Sequence, residues 1–363
     1  AALLFALRAI RSGKRLDLIL SIIAAALMTG AKASNLPLLL PIAICLVALF
    51  RKRPNLIVTA ALAGIFAASV SFVPLAIANI RHTGDWAGDP DSALKLKNPL
   101  IGLAGNSLLL TSASLAPAVF PPADKVNQWF NGKLARPPLK YLHEGFADLR
   151  FTHPQIASEE NSGLGLGVSA ALFMGMLGAR KQLRTGKLLT LGGMVLLGFW
   201  PALFVFMMKL GNCGAPRLIA PYYIGLIGLP LLLIQSHKVF AARWWRWSSL
   251  ALLACIVPAL ALNPARPLLP MNAILGKLRS NGFSNGILSR MEMVYAVYAN
   301  RSDAQRPVRE LLPPGTASIG FAGTSDESEY SFWLPMGTRT VREVAPVPRG
   351  QVPDTHGFDA IVT

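Results

Sequence analysis

Basic residues alternate with apolar segments along this chain, and this alternation constrains the fold more than any other feature of the sequence. A helix needs about 20 mostly apolar residues to cross the hydrocarbon core of a bilayer. About seven segments reach or approach that length, if some tilt or mismatch is allowed, namely 16–31, 36–50, 56–79, 163–179, 188–208, 217–236 and 247–262.

The linkers between these segments differ sharply in charge. The linkers 30–35 and 209–217 carry few charges, whereas four other short linkers are basic and contain no acid. Because Lys and Arg are retained on the cytoplasmic side during insertion, we predict that the basic linkers are cytoplasmic. Residues 80–162 and everything after residue 262 are then predicted to lie outside. The basic linkers are 11–15, 51–53, 180–187 and 238–246.

Composition favours a membrane protein and argues against a nucleic-acid-binding protein. The chain has 53% hydrophobic and 15% charged residues, with a mean hydropathy of +0.45. Its net charge of +17 is concentrated in the linkers, whereas a nucleic-acid site needs a basic face on a soluble domain. We therefore predict an α-helical polytopic membrane protein that contacts membrane lipids, with transmembrane helices in 1–79 and 163–262.

The first region predicted to lie outside, 80–162, is a long polar loop that contains one moderately apolar stretch at 98–121. An odd number of crossings here would break the alternation of the basic linkers. We therefore predict that 98–121 lies in the outer interface as an amphipathic helix, or re-enters the membrane without crossing it. Loops of this length usually carry function.

The second external region, 263–363, is predicted to form a small α/β domain. Residues 287–298 have apolar residues at helical spacing, and 317–321, 338–344 and 358–362 have the pattern of strands. The chain starts inside an apolar run and stops inside a strand-like run. We therefore expect the sequence to be truncated at both ends.

Acidic residues outside the predicted spans are candidates for catalysis. Asp85, Asp89 and Asp91 lie in one Gly-rich stretch, and its Asp-Pro-Asp triplet has a form that can hold Mg²⁺ or Mn²⁺ bound to a sugar-phosphate. The alternative for this stretch is a turn built from Gly, Asp and Pro. Glu159 and Glu160 precede an apolar segment, where either residue can act as a general base at the membrane surface or cap a helix in solvent.

Acids and histidines elsewhere are assigned structural roles. Asp17 lies at a cytoplasmic helix start, where a carboxylate favours the helix dipole. Ion-coupled transporters usually need carboxylates buried within the membrane, and no other acid lies in a predicted span. His143 and His153 are expected to be surface histidines, and no protein-held metal site is predicted.

Cations at the outer ends of helices form a second group of candidates. Lys32 and Arg217 lie in outer linkers that contain few charges, and Arg81 and His82 follow the outer end of segment 56–79. Lys and Arg bind phosphate through charge-assisted hydrogen bonds, and lipid-linked phosphate lies at this depth. The alternative is that these side chains extend toward lipid headgroups in general.

Three parts of the sequence resemble the polytopic C-type glycosyltransferases, which include protein O-mannosyltransferases and aminoarabinose transferases of lipid A. Residues 29–34, Thr-Gly-Ala-Lys-Ala-Ser, are similar to an outer loop of the Thr-Lys-Gly type. Residues 215–221, Ala-Pro-Arg-Leu-Ile-Ala-Pro, are similar to the Arg-Tyr-x-x-x-Pro start of a late span, with Leu218 in place of Tyr. Residues 312–341 resemble the periplasmic C-terminal domain of some bacterial members.

The resemblance implies an inverting enzyme of the bacterial inner membrane that moves a sugar from polyprenyl phosphate to an acceptor on the outer face. It also implies that Lys32 and Arg217 bind the lipid phosphate. The catalytic acid of the family lies in the first external loop, which precedes residue 1 in this register, so the resemblance assigns no catalytic residue here. The alternative function is a non-enzymatic polytopic membrane protein, such as a transporter or a component of cell-envelope assembly.

Overall fold

The computed structural model divides the chain into two units, residues 1–263 and 264–363. The protein is mostly helical, with a small parallel sheet near the C-terminus. The described residues are 1–88, 96–117, 120–146, 149–153, 163–180, 185–211, 215–234, 238–261, 263, 268–283, 286–299, 305–322, 329–344 and 356–362.

Every apolar segment predicted from the sequence contains a helix of the first unit. Short 3-10 turns precede four of the α-helices, at Ala33–Leu38, Pro54–Leu56, Thr185–Leu189 and Ala220–Tyr222. The α-helices are α1 (Ala2–Ser12), α2 (Arg15–Ala31), α3 (Leu39–Lys52), α4 (Ile57–Val70), α5 (Phe72–Thr83), α6 (Pro99–Leu115), α7 (Ala123–Leu134), α8 (Lys140–Gly145), α9 (Leu166–Ala179), α10 (Leu191–Met207), α11 (Ala215–Leu218), α12 (Tyr223–Ile234), α13 (Lys238–Ala241) and α14 (Arg243–Ala261).

Few of these helices qualify as membrane spans by length and composition. Within the described ranges, the helical stretch Ala33–Lys52 is long and apolar enough to cross a membrane. The pair Pro54–Val70 and Phe72–Thr83 passes the same test only if it counts as one span bent by 41°. Because prolines and 3-10 turns divide the apolar segments into shorter helices than hydropathy alone suggests, the structure supports one or two spans, and the remaining spans stay a prediction.

The turn between α1 and α2 is fixed by a buried carboxylate. Gly13 adopts the left-handed conformation with φ of 67°, which glycine tolerates without a steric penalty. Asp17, in the first turn of α2, is 3% exposed. It accepts a 2.8 Å hydrogen bond from Ser12 Oγ and lies 3.3 Å from Arg8 Nε. The expected structural role of Asp17 at this helix start is therefore confirmed, with an ion pair to the exposed Arg8 side chain that the sequence did not predict.

The bend between α4 and α5 has an identifiable cause. Pro74 lies in the first turn of α5; in one continuous helix its ring would clash with the carbonyl of residue 70, and it has no N–H to donate. The helix therefore breaks at Ser71, whose Oγ donates to Ala26 O on α2 over 2.9 Å. A Cβ atom added to Gly30 of α2 would lie 2.0 Å from that hydroxyl, so a glycine is needed for α2 to approach the bend this closely.

Helix α10 forms the centre of the largest hydrophobic cluster, through Phe199, Leu203 and Phe206. Its C-terminal end is bound by α6, because Asn106 Nδ2 donates to Met207 O, the last residue of α10, over 2.7 Å and to Leu210 O, just beyond the helix, over 2.5 Å. The helix that was predicted within 98–121 is therefore present as α6. Its place at the outer interface stays a prediction.

Side chains of α7 hold the extended segment 149–153. Asn127 and Asn131, one turn apart on α7, each make two hydrogen bonds to the backbone of segment 149–153. Asn131 pairs with the N–H and C=O of Phe151, and Asn127 pairs with those of His153. The pairing resembles that of neighbouring strands, with side-chain amides in place of one backbone.

The second unit combines helices with three parallel strands, β1 (Ser318–Phe321), β2 (Thr340–Glu343) and β3 (Ala360–Val362). In the sheet the strands lie in the order β2-β1-β3. The predicted helix at 287–298 and the three predicted strands are confirmed. Asp359, just before β3, accepts hydrogen bonds from the N–H groups of Ser318 and Ala317, which lower its pKa. The helices of this unit are α15 (Met271–Ser280), α16 (Gly286–Ala299) and α17 (Arg306–Glu310).

Candidate functional site

Lys32 lies in a short, well-held loop between α2 and the 3-10 turn that leads into α3. Its backbone is extended, with φ of −160°, and its side chain is exposed. Asn35 fixes the loop, because its N–H donates to Lys32 O and its Nδ2 donates to Met28 O, both over 2.9 Å. No carboxylate in the described part of the chain forms an ion pair with Lys32, so its ammonium group is available to an external anion.

An apolar cleft of about 420 Å³ opens beside this loop. Pockets that bind small ligands have volumes of about 300–1,000 Å³, so the cleft is large enough to hold part of a hydrocarbon chain. Thr29 contributes the one polar side chain of its lining, and this hydroxyl is bonded to carbonyls of its own helix. The lining residues are Ile22, Ala25, Ala26, Thr29, Leu36, Leu39, Ile42, Ala43, Leu46, Ala68 and Phe72.

Lys32 lies close in sequence to the cleft lining, three residues after Thr29 and four before Leu36. The walls of the cleft on α2 run from Ile22 to Thr29, which is about 10 Å along the helix axis at ~1.5 Å per residue. Thr29 and Leu36 line the cleft on either side of Lys32 in the chain, and the bend after α4 supplies Phe72 as a further wall. The loop that joins two walls of this apolar cleft therefore carries a cation, a combination that suits an amphiphile with an anionic head.

Arg81 and His82 do not join this site. Both are exposed in the last turn of α5. Arg81 lies about 14 Å along the helix axis from Phe72, at ~1.5 Å per residue. They are separated from the cleft because α5 continues for two more turns beyond the bend.

The structure places the backbone of Arg217 in the short helix α11, and the position of its side chain lies outside what is described. The neighbouring Pro216 accepts a 2.9 Å hydrogen bond from the hydroxyl of Tyr223 and lines a small cavity of about 10 Å³ with Arg150 and His153. This volume is about that of one water molecule. The role predicted for Arg217 in phosphate binding therefore stays a prediction.

In the described ranges, no contact joins the acidic candidates to one another. Asp85 accepts a 2.8 Å hydrogen bond from the N–H of Ala87, the geometry of the turn that was the alternative for this stretch. Within the described residues, no group of three or more His, Cys, Asp or Glu side chains could hold a metal ion. The other four acids lie outside the described residues, namely Asp89, Asp91, Glu159 and Glu160.

His153 was expected at the surface, and this expectation was wrong. The side chain is 9% exposed and its ring lies 6.5 Å from that of Phe120 and 5.9 Å from that of Phe151. Burial lowers the pKa of the imidazole below its usual 6.5 because the charged form loses solvation. The alternation of Leu149, Phe151 and His153 was the available signal, since every second residue of an extended segment faces the same side. His143, by contrast, is exposed, as expected.

No family model, curated protein or solved structure matches the chain. Comparison with known proteins therefore assigns no function to this site. The resemblance to C-type glycosyltransferases therefore stays a prediction. What the site can do follows from the charge of Lys32 and the shape of the cleft beside it.

Proposed function

We propose that this chain belongs to a membrane glycosyltransferase that takes a sugar from a polyprenyl-phosphate donor and transfers it to an acceptor on the outer face of the membrane. The observation that carries the proposal is an apolar cleft whose lining residues Thr29 and Leu36 flank the exposed Lys32 in the chain. An isoprenoid chain fits an apolar cleft, and a lipid phosphate binds a nearby cation. The proposed location is the bacterial inner membrane.

Membrane embedding is supported by the outer surface of α4 and α5. Soluble monomers rarely expose apolar patches larger than a few hundred Å², yet these two helices expose large apolar side chains along their whole length. A bilayer is the surrounding in which such a surface is stable, and the proposal includes the seven predicted spans. The exposed residues are Ile57, Val58, Leu62, Ile65, Phe66, Val70, Val73, Ile77 and Ile80.

The proposed role of Lys32 is to stabilise the leaving group. In the transfer, an acceptor oxygen forms a bond to the anomeric carbon of the sugar and the bond from that carbon to the phosphate oxygen breaks. The electron pair stays with the phosphate, which gains negative charge, and the proton of the acceptor goes to a general base. A cation held against that phosphate lowers the barrier because it interacts more strongly as the charge develops. The resemblance assigns no residue of this chain as that base.

Transfer of radiolabelled sugar from polyprenyl phosphate, measured with the full-length protein in lipid nanodiscs, tests the proposal. We expect Lys32→Ala to lower kcat/KM by roughly 10- to 150-fold, because a charge-assisted hydrogen bond contributes ~1.5–3 kcal/mol at ~1.4 kcal/mol per tenfold change. Lys32→Arg should retain most of the activity. Lys52→Ala, an exposed lysine at the other end of α3, is the matched control and should change nothing.

A second pair of variants tests the cleft itself. Ala43 lines the cleft, whereas Val47, one turn further along α3, is exposed outside it. We expect Ala43→Phe to raise the KM for the lipid donor by filling the cleft, and Val47→Phe to leave it unchanged. Equal KM values in the two variants would show that the cleft does not bind the lipid donor. Absence of transfer from any polyprenyl-phosphate donor would favour the non-enzymatic alternative.

A further inference from the structure

Helix α15 of the second unit carries an apolar stripe that its own unit covers only in part. Met271 and Leu275 are buried against α16, where they contact Leu288 and Tyr295. The rest of the stripe is exposed to solvent, with Leu268 exposed by 77% and Phe283 by 62% at its two ends. The exposed residues are Leu268, Leu269, Ile274, Leu278 and Phe283.

The covered and uncovered residues belong to one face of the helix. At about 100° per residue, Ile274 and Leu278 lie beside Met271 and Leu275 within a sector of roughly 100°. The stripe continues past the end of the helix, because Gly282 is left-handed with φ of 85° and the N–H of Phe283 donates to Leu278 O over 3.2 Å. This capping geometry holds Phe283 near Leu278. The apolar face is therefore longer and wider than α16 can cover.

Positive charge borders the stripe on both sides. Lys277 lies beyond Ile274 on the helical wheel and Arg279 lies beyond Leu275, at about 100° per residue. Arg279 donates to Glu292 Oε2 on α16 over 2.8 Å. Residues 268–283 contain no acid. An apolar stripe flanked by basic residues on an otherwise polar helix is the pattern of a helix that lies in a membrane interface.

We propose that α15 docks on the surface of an anionic lipid bilayer, with the exposed part of its stripe inserted among the lipid headgroups. Charge decides between possible occupants: the charge of Arg279 is matched by Glu292, but Lys277 borders the stripe and no acid lies between 268 and 283. This favours anionic headgroups over a second copy of this chain, whose net charge is also positive. In the sequence, α15 begins at Met271 shortly after α14 ends at Ala261, and segment 247–262 is a predicted span. The proposal rests on the external, membrane-adjacent placement of the second unit that is part of the proposed function.

The depth of α15 can be measured with environment-sensitive labels on the full chain in nanodiscs that contain phosphatidylglycerol. The native cysteines, Cys45, Cys213 and Cys255, are first replaced by Ala. An NBD fluorophore is then attached to a single new cysteine, either Ile274→Cys or Leu278→Cys. We expect quenching by lipids with a nitroxide near the headgroup, and protection from aqueous iodide by severalfold relative to a control label. The control is Leu311→Cys, exposed by 83% in the same unit.

Changing the charge tests the choice of lipid. Lys277→Gln should reduce the protected fraction by roughly fivefold, because one basic residue near an anionic surface contributes about that factor, and purely zwitterionic nanodiscs should have a similar effect. Equal iodide quenching at 274, 278 and 311 would overturn the proposal. So would protection without nitroxide quenching, which indicates cover by protein. These readouts do not depend on sugar transfer, so loss of the transferase proposal would leave the docking result standing.

Discussion

Replacing Asn131 by Ala is expected to release segment 149–153 from α7. Asn131 Nδ2 donates to Phe151 O over 3.1 Å, and its Oδ1 accepts from the Phe151 N–H over 2.8 Å. Phe151 is 1% exposed, so water cannot readily replace the lost partners. Two hydrogen bonds, together with the cost of leaving buried groups unpaired, amount to about 2–4 kcal/mol.

Hydrogen exchange on the full-length protein measures this loss directly. At ~1.4 kcal/mol per tenfold change, the amide of Phe151 should exchange roughly 30- to 700-fold faster in Asn131→Ala if the segment opens locally. Asn131→Asp keeps the acceptor for that amide and should give a smaller increase. Lys125→Ala, an exposed change on the same helix, is the control. Unchanged exchange at Phe151 in Asn131→Ala would refute the pairing.

Three further changes probe other parts of the structure. Below pH 6.5, the protection factors in 149–153 (the intrinsic exchange rate divided by the observed rate at the same pH) should fall as the pH falls, because the lowered pKa of His153 means that the open segment binds a proton more readily. This contribution to stability is complete above 6.5, and His153→Gln should abolish the pH dependence. Asn106→Leu should lower the Tm in detergent, since two carbonyls at the end of α10 lose their donor at a cost of about 2–3 kcal/mol. Gly30→Ala should also lower the Tm because of its contact with Ser71, whereas Gly64→Ala, with nothing within 4 Å, should not.

Hydrophobic patterning predicted the helices of the apolar segments, the helix at 287–298 and the three strands, because each depends on local periodicity and on turn residues. It did not predict α7, α8 or α15, the first two of which lie in a stretch too polar to stand out by hydropathy. The division of segment 56–79 was not predicted, although Pro74 was visible, because hydropathy averages over a single helix-breaking residue. The pairing of Asn127 and Asn131 with a distant backbone depends on tertiary contact, as does the burial of His153. Neither arrangement has a signature within one helix.

The candidate site, too, could be predicted from the sequence only in part. Lys32 could be selected from the sequence because a lone cation at an outer helix end differs from its surroundings. The cleft beside it could not, since three separate helices and the bend at Ser71 form its walls. Arg81 and His82 were selected by the same charge criterion, but the direction of α5 carries them away from the cleft.

The threading of the chain through the membrane is tested most directly by labelling single cysteines in intact cells with a thiol reagent that cannot cross the inner membrane. Lys133→Cys on α7 and Leu311→Cys in the second unit report on the two regions assigned to the outer face, and Lys52→Cys at the end of α3 reports on a linker assigned to the cytoplasm. The account predicts that positions 133 and 311 are labelled and that position 52 is labelled only after the membrane is opened. Labelling of 133 and 311 on opposite faces, or of neither before opening, would contradict it.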